Sequence, residues 1–300
     1  MRADFERYLR AKRTVDDRAI DRRLLEAFRE GVAERAETGE GPLRVLEVGA
    51  GIGTMPARLL EWEVLPPGEI RYAAVDVDPD TVAGVGPYLR EWADGREVAV
   101  SGSDPIEVKT FDRTVRIEPI AADAIEYAER TAGEWDVLLG AALLDVLESA
   151  GLETLLGALA PGGTYYFPIT FDGATRFRPS HPADLKIERH YHDHMDAKPG
   201  GNSRAGGAVL EWLRRTEGVR VSGVAGSDWI VRPTDGEYPA DEAFFLGCIL
   251  DSVESAVDEV TDGTAEELDE WMACRRAQLG EGELCYLTHQ LDLLGRVDGQ

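Results

Sequence analysis

The stretch Val45-Leu46-Glu47-Val48-Gly49-Ala50-Gly51-Ile52-Gly53 decides the fold. A short, mostly apolar run enters a glycine-dense turn, and Thr54–Glu61 behind it can start a helix. Strand, tight turn and helix N-terminus together make a cradle of nucleotide size, because free N–H groups and the helix dipole point into the gap. The spacing says more than the number of glycines. A dinucleotide site wants G-x-G-x-x-G, whose third glycine would fall here on Thr54. The pattern is E-x-G-x-G-x-G instead, with Glu47 in the end of the strand.

Four further stretches follow in order. Ile70-Arg71-Tyr72-Ala73-Ala74-Val75-Asp76-Val77-Asp78 reads as a buried strand ending in acids. An acid at the end of the second strand of such a unit accepts hydrogen bonds from ribose hydroxyls, which singles out Asp76; Asp78 can cap the helix that Pro79 opens. Ile120-Ala121-Ala122-Asp123-Ala124 again ends a strand in an acid, and Trp135-Asp136-Val137-Leu138-Leu139-Gly140-Ala141-Ala142 is a further buried strand. Leu159-Ala160-Pro161-Gly162-Gly163-Thr164-Tyr165-Tyr166-Phe167 turns through Pro-Gly-Gly into another.

Five such motifs in order across residues 43–170 resemble the class I S-adenosylmethionine-dependent methyltransferases. The resemblance implies an α/β fold: a seven-stranded, mostly parallel, doubly wound Rossmann-like sheet whose last strand is antiparallel. It implies S-adenosylmethionine as cofactor. Gly49, Ala50, Gly51 and Gly53 would let the backbone approach its methionine part, which Glu47 would orient. Asp76 would hold the ribose and Asp123 the adenine amino group, with Val77 and Ala124 packed on the adenosine. The segment after the fourth strand, from Gly140 and Ala141 to Asp145, would face the methyl group. That segment lacks the N/D-P-P-Y/F signature of enzymes that methylate adenine or glutamine amides. Asp145 either touches substrate or caps the next helix. In related enzymes a segment before motif I closes over the cofactor, so Arg13 or Tyr8 would meet its carboxylate; a solvated basic helix face is the alternative.

Composition narrows the class. No stretch of about 18 apolar residues is present, so no membrane span is expected. Residues 1–13 are charged and carry no apolar core of a signal peptide, which points to a cytoplasmic protein. Cys248, Cys274 and Cys285 are too few and too scattered for a disulfide framework or a zinc site and read as inert thiols. Net charge is −25, and the only lysines are Lys12, Lys109, Lys186 and Lys198. Dense carboxylates keep a surface hydrated while salt screens their repulsion. The combination looks haloarchaeal; an acidic protein from a GC-rich bacterium is the alternative. So acidic a surface opposes binding to a phosphate backbone at low salt, which makes a nucleic-acid partner unlikely.

Outside the motifs, residues 3–37 read as helical, with Leu24, Leu25, Phe28 and Val32 at helix spacing. Strands are expected at 43–48, 70–77, 113–121, 135–142 and 163–170, with helices at 54–64, 79–92, 124–131 and 145–159 between them. Residues 97–112 read as a surface excursion and 171–206 as irregular. A helix is expected at 207–217, a final strand pair at 219–231 (kinked at Gly226) and 283–296, and a helical insertion over 240–279. Three parts result: 1–42 covering the cofactor, 43–170 as the binding core, and 171–300 as the substrate side.

Methyl transfer from a sulfonium is a direct displacement, so the enzyme must align the reactants and often remove a proton. No metal is expected. Four histidines crowd into 181–194, and His192, His194, Tyr191 and Asp172 are the candidates for base or substrate contact. As a strand the last three histidines share one face; as a helix only His190 and His194 do. The expected function is methyl transfer to a small-molecule acceptor, oxygen slightly favoured over nitrogen or carbon because clustered His and Asp can deprotonate a hydroxyl. Methylation of RNA or protein, and a non-catalytic cofactor-binding protein, are the alternatives. Oligomeric state is open.

Overall fold

The computed structural model describes residues 2–147, 149–261 and 266–299. Its first helices are α1 (Arg2–Ala19) and α2 (Arg22–Thr38), broken where Asp21 caps α2 by accepting hydrogen bonds from the Arg23 and Leu24 amides. Strand β1 (Leu43–Val48) then runs into the glycine turn and α3 (Thr54–Glu61). Strand β2 (Gly68–Asp76) leads to α4 (Pro79–Ala83) and α5 (Val85–Ala93), one expected helix split at Gly84. Asp78 caps α4, and Pro79 supplies its first turn.

Residues 97–112 depart from expectation. They form a hairpin, β3 (Ala99–Gly102) and β4 (Ile106–Lys109), paired antiparallel onto β5 (Arg113–Ala121). Beyond it come α6 (Ala124–Arg130) and β6 (Trp135–Leu139), then a 3₁₀ turn at Leu144–Val146 and α7 (Ser149–Gly157). Strand β7 (Leu159–Arg178) outlasts its expected end by eight residues. The segment read as irregular contains α8 (Asp184–Ala197), followed by α9 (Ala205–Arg215). The expected kinked strand is two, β8 (Val219–Gly226) and β9 (Trp229–Val231), separated at Ser227-Asp228. Helices α10 (Glu242–Thr261) and α11 (Glu266–Gly280) and strand β10 (Cys285–Val297) complete the chain. Of the expected helices over 145–159 and 240–279, Glu148 and residues 262–265 lie outside the described residues.

The described strands form one ten-stranded sheet, not seven, in the order β3-β4-β5-β2-β1-β6-β7-β10-β8, with β9 also on β10. The seven expected strands are all there. The other three are the outer hairpin and β9. The central β5-β2-β1-β6-β7 pairs are parallel, and β10 runs antiparallel to β7 and β8. Central strands are covered on both sides, so β1 and β6 are buried almost throughout. Alternation splits β1 between two cores. Leu43 and Val45 pack under α1, α2 and α3, and Leu46 and Val48 under α6 and α7. Each such side chain contributes about 1.5–3 kcal/mol by leaving water. Glu47 therefore points toward the α1 and α3 side, a carboxyl where an apolar residue would be expected.

Candidate functional site

A cavity of about 470 Å³ opens beyond the carboxyl ends of β1 and β2. Open α/β sheets bind ligands there, because strand ends diverge and helix N-termini converge. Glu47, Gly49, Ala50, Gly51, Asp76, Val77 and Ala141 all line it. Gly49, Gly51 and Gly53 have φ of 69°, 55° and 85°, a region that glycine enters freely. A Cβ on Gly49 would stand 3.0 Å from the Leu143 side chain. Asp76 fixes the turn: one oxygen accepts from the Gly51 amide at 2.8 Å, the other from the Asp78 amide at 3.1 Å. Gly53 is the N-cap of α3.

Glu47 is 2% exposed and accepts a hydrogen bond from the Tyr72 hydroxyl at 2.7 Å. Burial pushes its carboxyl up to about 8, only partly offset by Tyr72 and the Arg58 charge. A ligand cation arriving there would restore its charge.

Arg58 is the residue that sequence reading passed over. It stands one turn into α3, 1% exposed, and lines the cavity. Its Nε donates to Asp17 at 2.6 Å, whereas Nη2 has no hydrogen-bond partner and lies 3.9 Å from Asp16. A buried guanidinium N–H without a partner costs free energy that an anionic ligand would recover. The available signal was an arginine on the otherwise apolar buried face of the helix that follows the glycine turn.

Helix α1 roofs the cavity with Phe5, Tyr8, Leu9, Lys12 and Asp16. Lys12 donates to Asp16 at 2.6 Å and lies 5.1 Å from the centre of the Trp229 ring. Arg13 is turned away, donating to the Tyr88 hydroxyl at 2.7 Å and to Glu61 at 2.5 Å. Asp123 is engaged as the N-cap of α6, accepting from the Ile125 and Glu126 amides, so neither it nor Ala124 lines the cavity. Gly140 stands behind the wall, where a Cβ would meet Phe167.

The far half of the cavity is built mainly from residues 171–300. Tyr191, Met195, Phe171, Trp229, Tyr286, Thr288 and Gln290 line it, with Asp145 from the 3₁₀ turn. Burial raises the Asp145 carboxyl above its ordinary value, against its own backbone amide and Lys12. Burial also holds the Tyr191 hydroxyl up to about 12. A second cavity, about 520 Å³ between α8 and α10, shares Asp145, Tyr191 and Met195 with the first.

His190, His192 and His194 lie on α8, so His192 points away from the face that His190 and His194 share. His192 faces Thr175, 3.0 Å from its hydroxyl, in a separate shallow cavity; desolvation lowers its pKa. His194 pairs with Glu259 at 2.8 Å on the rim of the second cavity. Asp172 accepts from the Gly207 amide at the start of α9 at 2.8 Å. Of the four catalytic candidates only Tyr191 reaches the main cavity. Among the described residues no three His, Cys, Asp or Glu side chains gather as for a metal ion. No described helix is long and apolar enough to cross a membrane.

No family model matches the chain, and no curated protein matches it. Solved structures do resemble it. Phosphoethanolamine N-methyltransferase 2 of Haemonchus contortus, with phosphomonomethylethanolamine and S-adenosylhomocysteine, is 14% identical over 91% of this chain and 53% of its own, at a TM-score of 0.40. This chain thus spans about half the length of that protein. A SAM-dependent methyltransferase from Geobacter sulfurreducens in complex with S-adenosyl-L-homocysteine is 16% identical over 92% and 91%, at 0.42. One from Archaeoglobus fulgidus is 12% identical over 91% and 94%, at 0.38. Likeness this low assigns no activity to this chain.

Proposed function

We propose that the protein is an S-adenosylmethionine-dependent methyltransferase acting on a small molecule. The observation that carries this is the cavity at the strand ends, where the E-x-G-x-G-x-G turn, Asp76 and the unpartnered Nη2 of Arg58 meet. The bound cofactor supplies an electrophilic methyl on a sulfonium. Its methionine end carries one ammonium and one carboxylate. Glu47, protonated when the site is empty of cations, suits the first, and Arg58 suits the second. Asp76 is half-buried at the cavity wall, where ribose hydroxyls can reach it while it holds the turn. The cavity's size falls within the range of about 300–1,000 Å³ usual for ligand pockets.

In this reading residues 1–42 cover the cofactor, 43–170 bind it and 171–300 build the acceptor side. Tyr8, Lys12 and Asp16 above the cavity support the first assignment, and Tyr191, Met195, Tyr286 and Gln290 the last. The shared wall between the two cavities favours an acceptor reaching the site over a sealed, non-catalytic one. Transfer aided by His192 or His194 loses its support, because neither side chain lines the main cavity.

The test is calorimetric titration of S-adenosylmethionine, S-adenosylhomocysteine and NAD into the protein in high salt, with Asp76→Ala alongside. The first two should bind and the substitution should abolish binding. Binding of NAD alone, or of nothing, would mean that the site serves another purpose.

A further inference from the structure

The acceptor half of the cavity carries a chemistry that the methyltransferase reading does not by itself require. Its cation, Lys12, is already held by Asp16 at 2.6 Å; Arg58, with its free Nη2, stands at the opposite end beside the glycine turn. What stands free is of the other polarity. The Asp145 carboxylate makes no hydrogen bond to another residue among the described ones, and the positive charge that acts on it is that of Lys12. Gln290 is 2% exposed and lines the cavity; its Nε2 donates to Thr288 at 2.9 Å, and its Oε1 has no partner. An orphaned buried carbonyl oxygen asks for an N–H or O–H from a ligand. The hydroxyls of Tyr8, Tyr191 and Tyr286 keep their protons, and burial raises the pKa of each. Their rings, with Phe171 and Trp229, form the apolar walls. Aromatic faces around a carboxylate attract cations, because the ring quadrupole is negative above its plane. The ring faces themselves repel an anion.

We infer that the acceptor is a small aliphatic amine, bound as its ammonium ion among the Tyr8, Tyr191, Tyr286 and Trp229 rings, with Asp145 as the carboxylate that holds it and Gln290 Oε1 as a further acceptor of its N–H bonds. This rests on the methyltransferase reading and names its substrate class. Asp145 takes one proton from the ammonium nitrogen, and the nitrogen keeps the lone pair that makes it a nucleophile. The amine enters from the cavity between α8 and α10, past the wall of Asp145, Tyr191 and Met195 that both cavities share. Nitrogen thereby replaces oxygen as the favoured acceptor atom.

Matched pairs test it: butylamine against butanol, phenethylamine against 2-phenylethanol, and butyrate as the anion. Each is titrated calorimetrically into the full chain saturated with S-adenosylhomocysteine. At least one amine should bind about tenfold or more tighter than its alcohol, as expected for a desolvated cation on aromatic faces, with butyrate silent. Asp145→Asn should remove that preference while S-adenosylhomocysteine still binds. Equal binding of amine and alcohol, stronger binding of butyrate, or no amine binding to a protein that holds S-adenosylhomocysteine overturns the inference alone. Failure of S-adenosylhomocysteine to bind overturns the parent reading, and this inference with it. If Asp145→Asn does not fold, the wild-type discrimination decides.

Discussion

Arg58 and Glu47 form a pair of opposites at one end of the cavity: a guanidinium with a free N–H, and a carboxyl pushed toward neutrality. A zwitterionic amino-acid tail satisfies both at once. Arg58→Gln should therefore weaken S-adenosylhomocysteine binding by about 10- to 100-fold, the worth of one hydrogen bond to a charged group. Methylthioadenosine, which lacks that tail, should bind mutant and wild type alike; calorimetry with both ligands separates the roles, and equal losses would refute the assignment. Glu47 adds a pH dependence to the free protein. Its folded value of about 8 lies above its ordinary 4.5, so the folded state keeps a proton that the unfolded chain gives up. Stability should fall as pH rises from about 5 to 8, by an amount on the order of a few kcal/mol, and level off above. Asp145 and Asp292, also raised by burial, add to it with the same sign. Urea melts across this range should show the decline, and Glu47→Gln should flatten its upper part. A wild-type curve rising through pH 7 would contradict the buried, protonated carboxyl.

Strand β10 joins the edge strands β8 and β9 to the rest of the sheet, pairing with β7 along its other side. Gly295 sits where both neighbours crowd in: a Cβ would collide with the Tyr165 hydroxyl and the Arg220 carbonyl. Backbone cannot give way as a flexible side chain does, so Gly295→Ala should cost about 1–3 kcal/mol or more, read as a lower urea midpoint. A neutral result would mean that the bulge between Leu294 and Gly295 can shift at no cost. The same strand shows what the sequence revealed and what it hid. Apolar runs such as Val45-Leu46 and Val137-Leu138-Leu139 marked the central strands, because burial on both faces leaves a continuous signal. The end of β7 was missed, since Asp172-Gly173 reads as a turn and only pairing with β10, out to Cys285 opposite Arg178, keeps it extended. The β3–β4 hairpin was missed for the same reason: its exposed strand alternates little, and its order comes from docking on β5. In the cavity, Glu47, Gly49, Gly51 and Asp76 stand where the strand–turn–helix motif places them, because local geometry fixes their positions. Arg58 and Gln290 belong to the cavity through tertiary contacts; Asp145, for which the sequence left substrate contact or a helix cap open, lines the cavity, and Asp123 answered to a local cap instead.

At the scale of the molecule, charge decides. The chain has 57 acidic and 32 basic residues among Asp, Glu, Lys and Arg, so even with every cation paired, 25 carboxylates are left over. Salt acts on this in two directions. It weakens the exposed pairs, such as Arg7–Asp241 and Arg276–Glu254, but exposed pairs contribute little. It also screens the mutual repulsion of the surplus, which extends over many neighbours at a screening length of about 10 Å in 0.1 M salt and collapses to about 3 Å at 1 M. Buried pairs such as Lys12–Asp16 and Arg58–Asp17 lie largely out of water and respond little. Repulsion is thus the larger salt-sensitive quantity, and its relief should dominate. The melting temperature should rise by at least about 5 °C between 0.1 M and 2 M KCl, with the steepest gain below 1 M, where the screening length changes most. Scanning calorimetry at fixed pH across that series is the measurement, with sucrose at matched osmolality to separate screening from general exclusion effects. A flat or falling series would mean that attractive pairs on the surface outweigh the surplus, and the haloarchaeal reading of the composition would go with it.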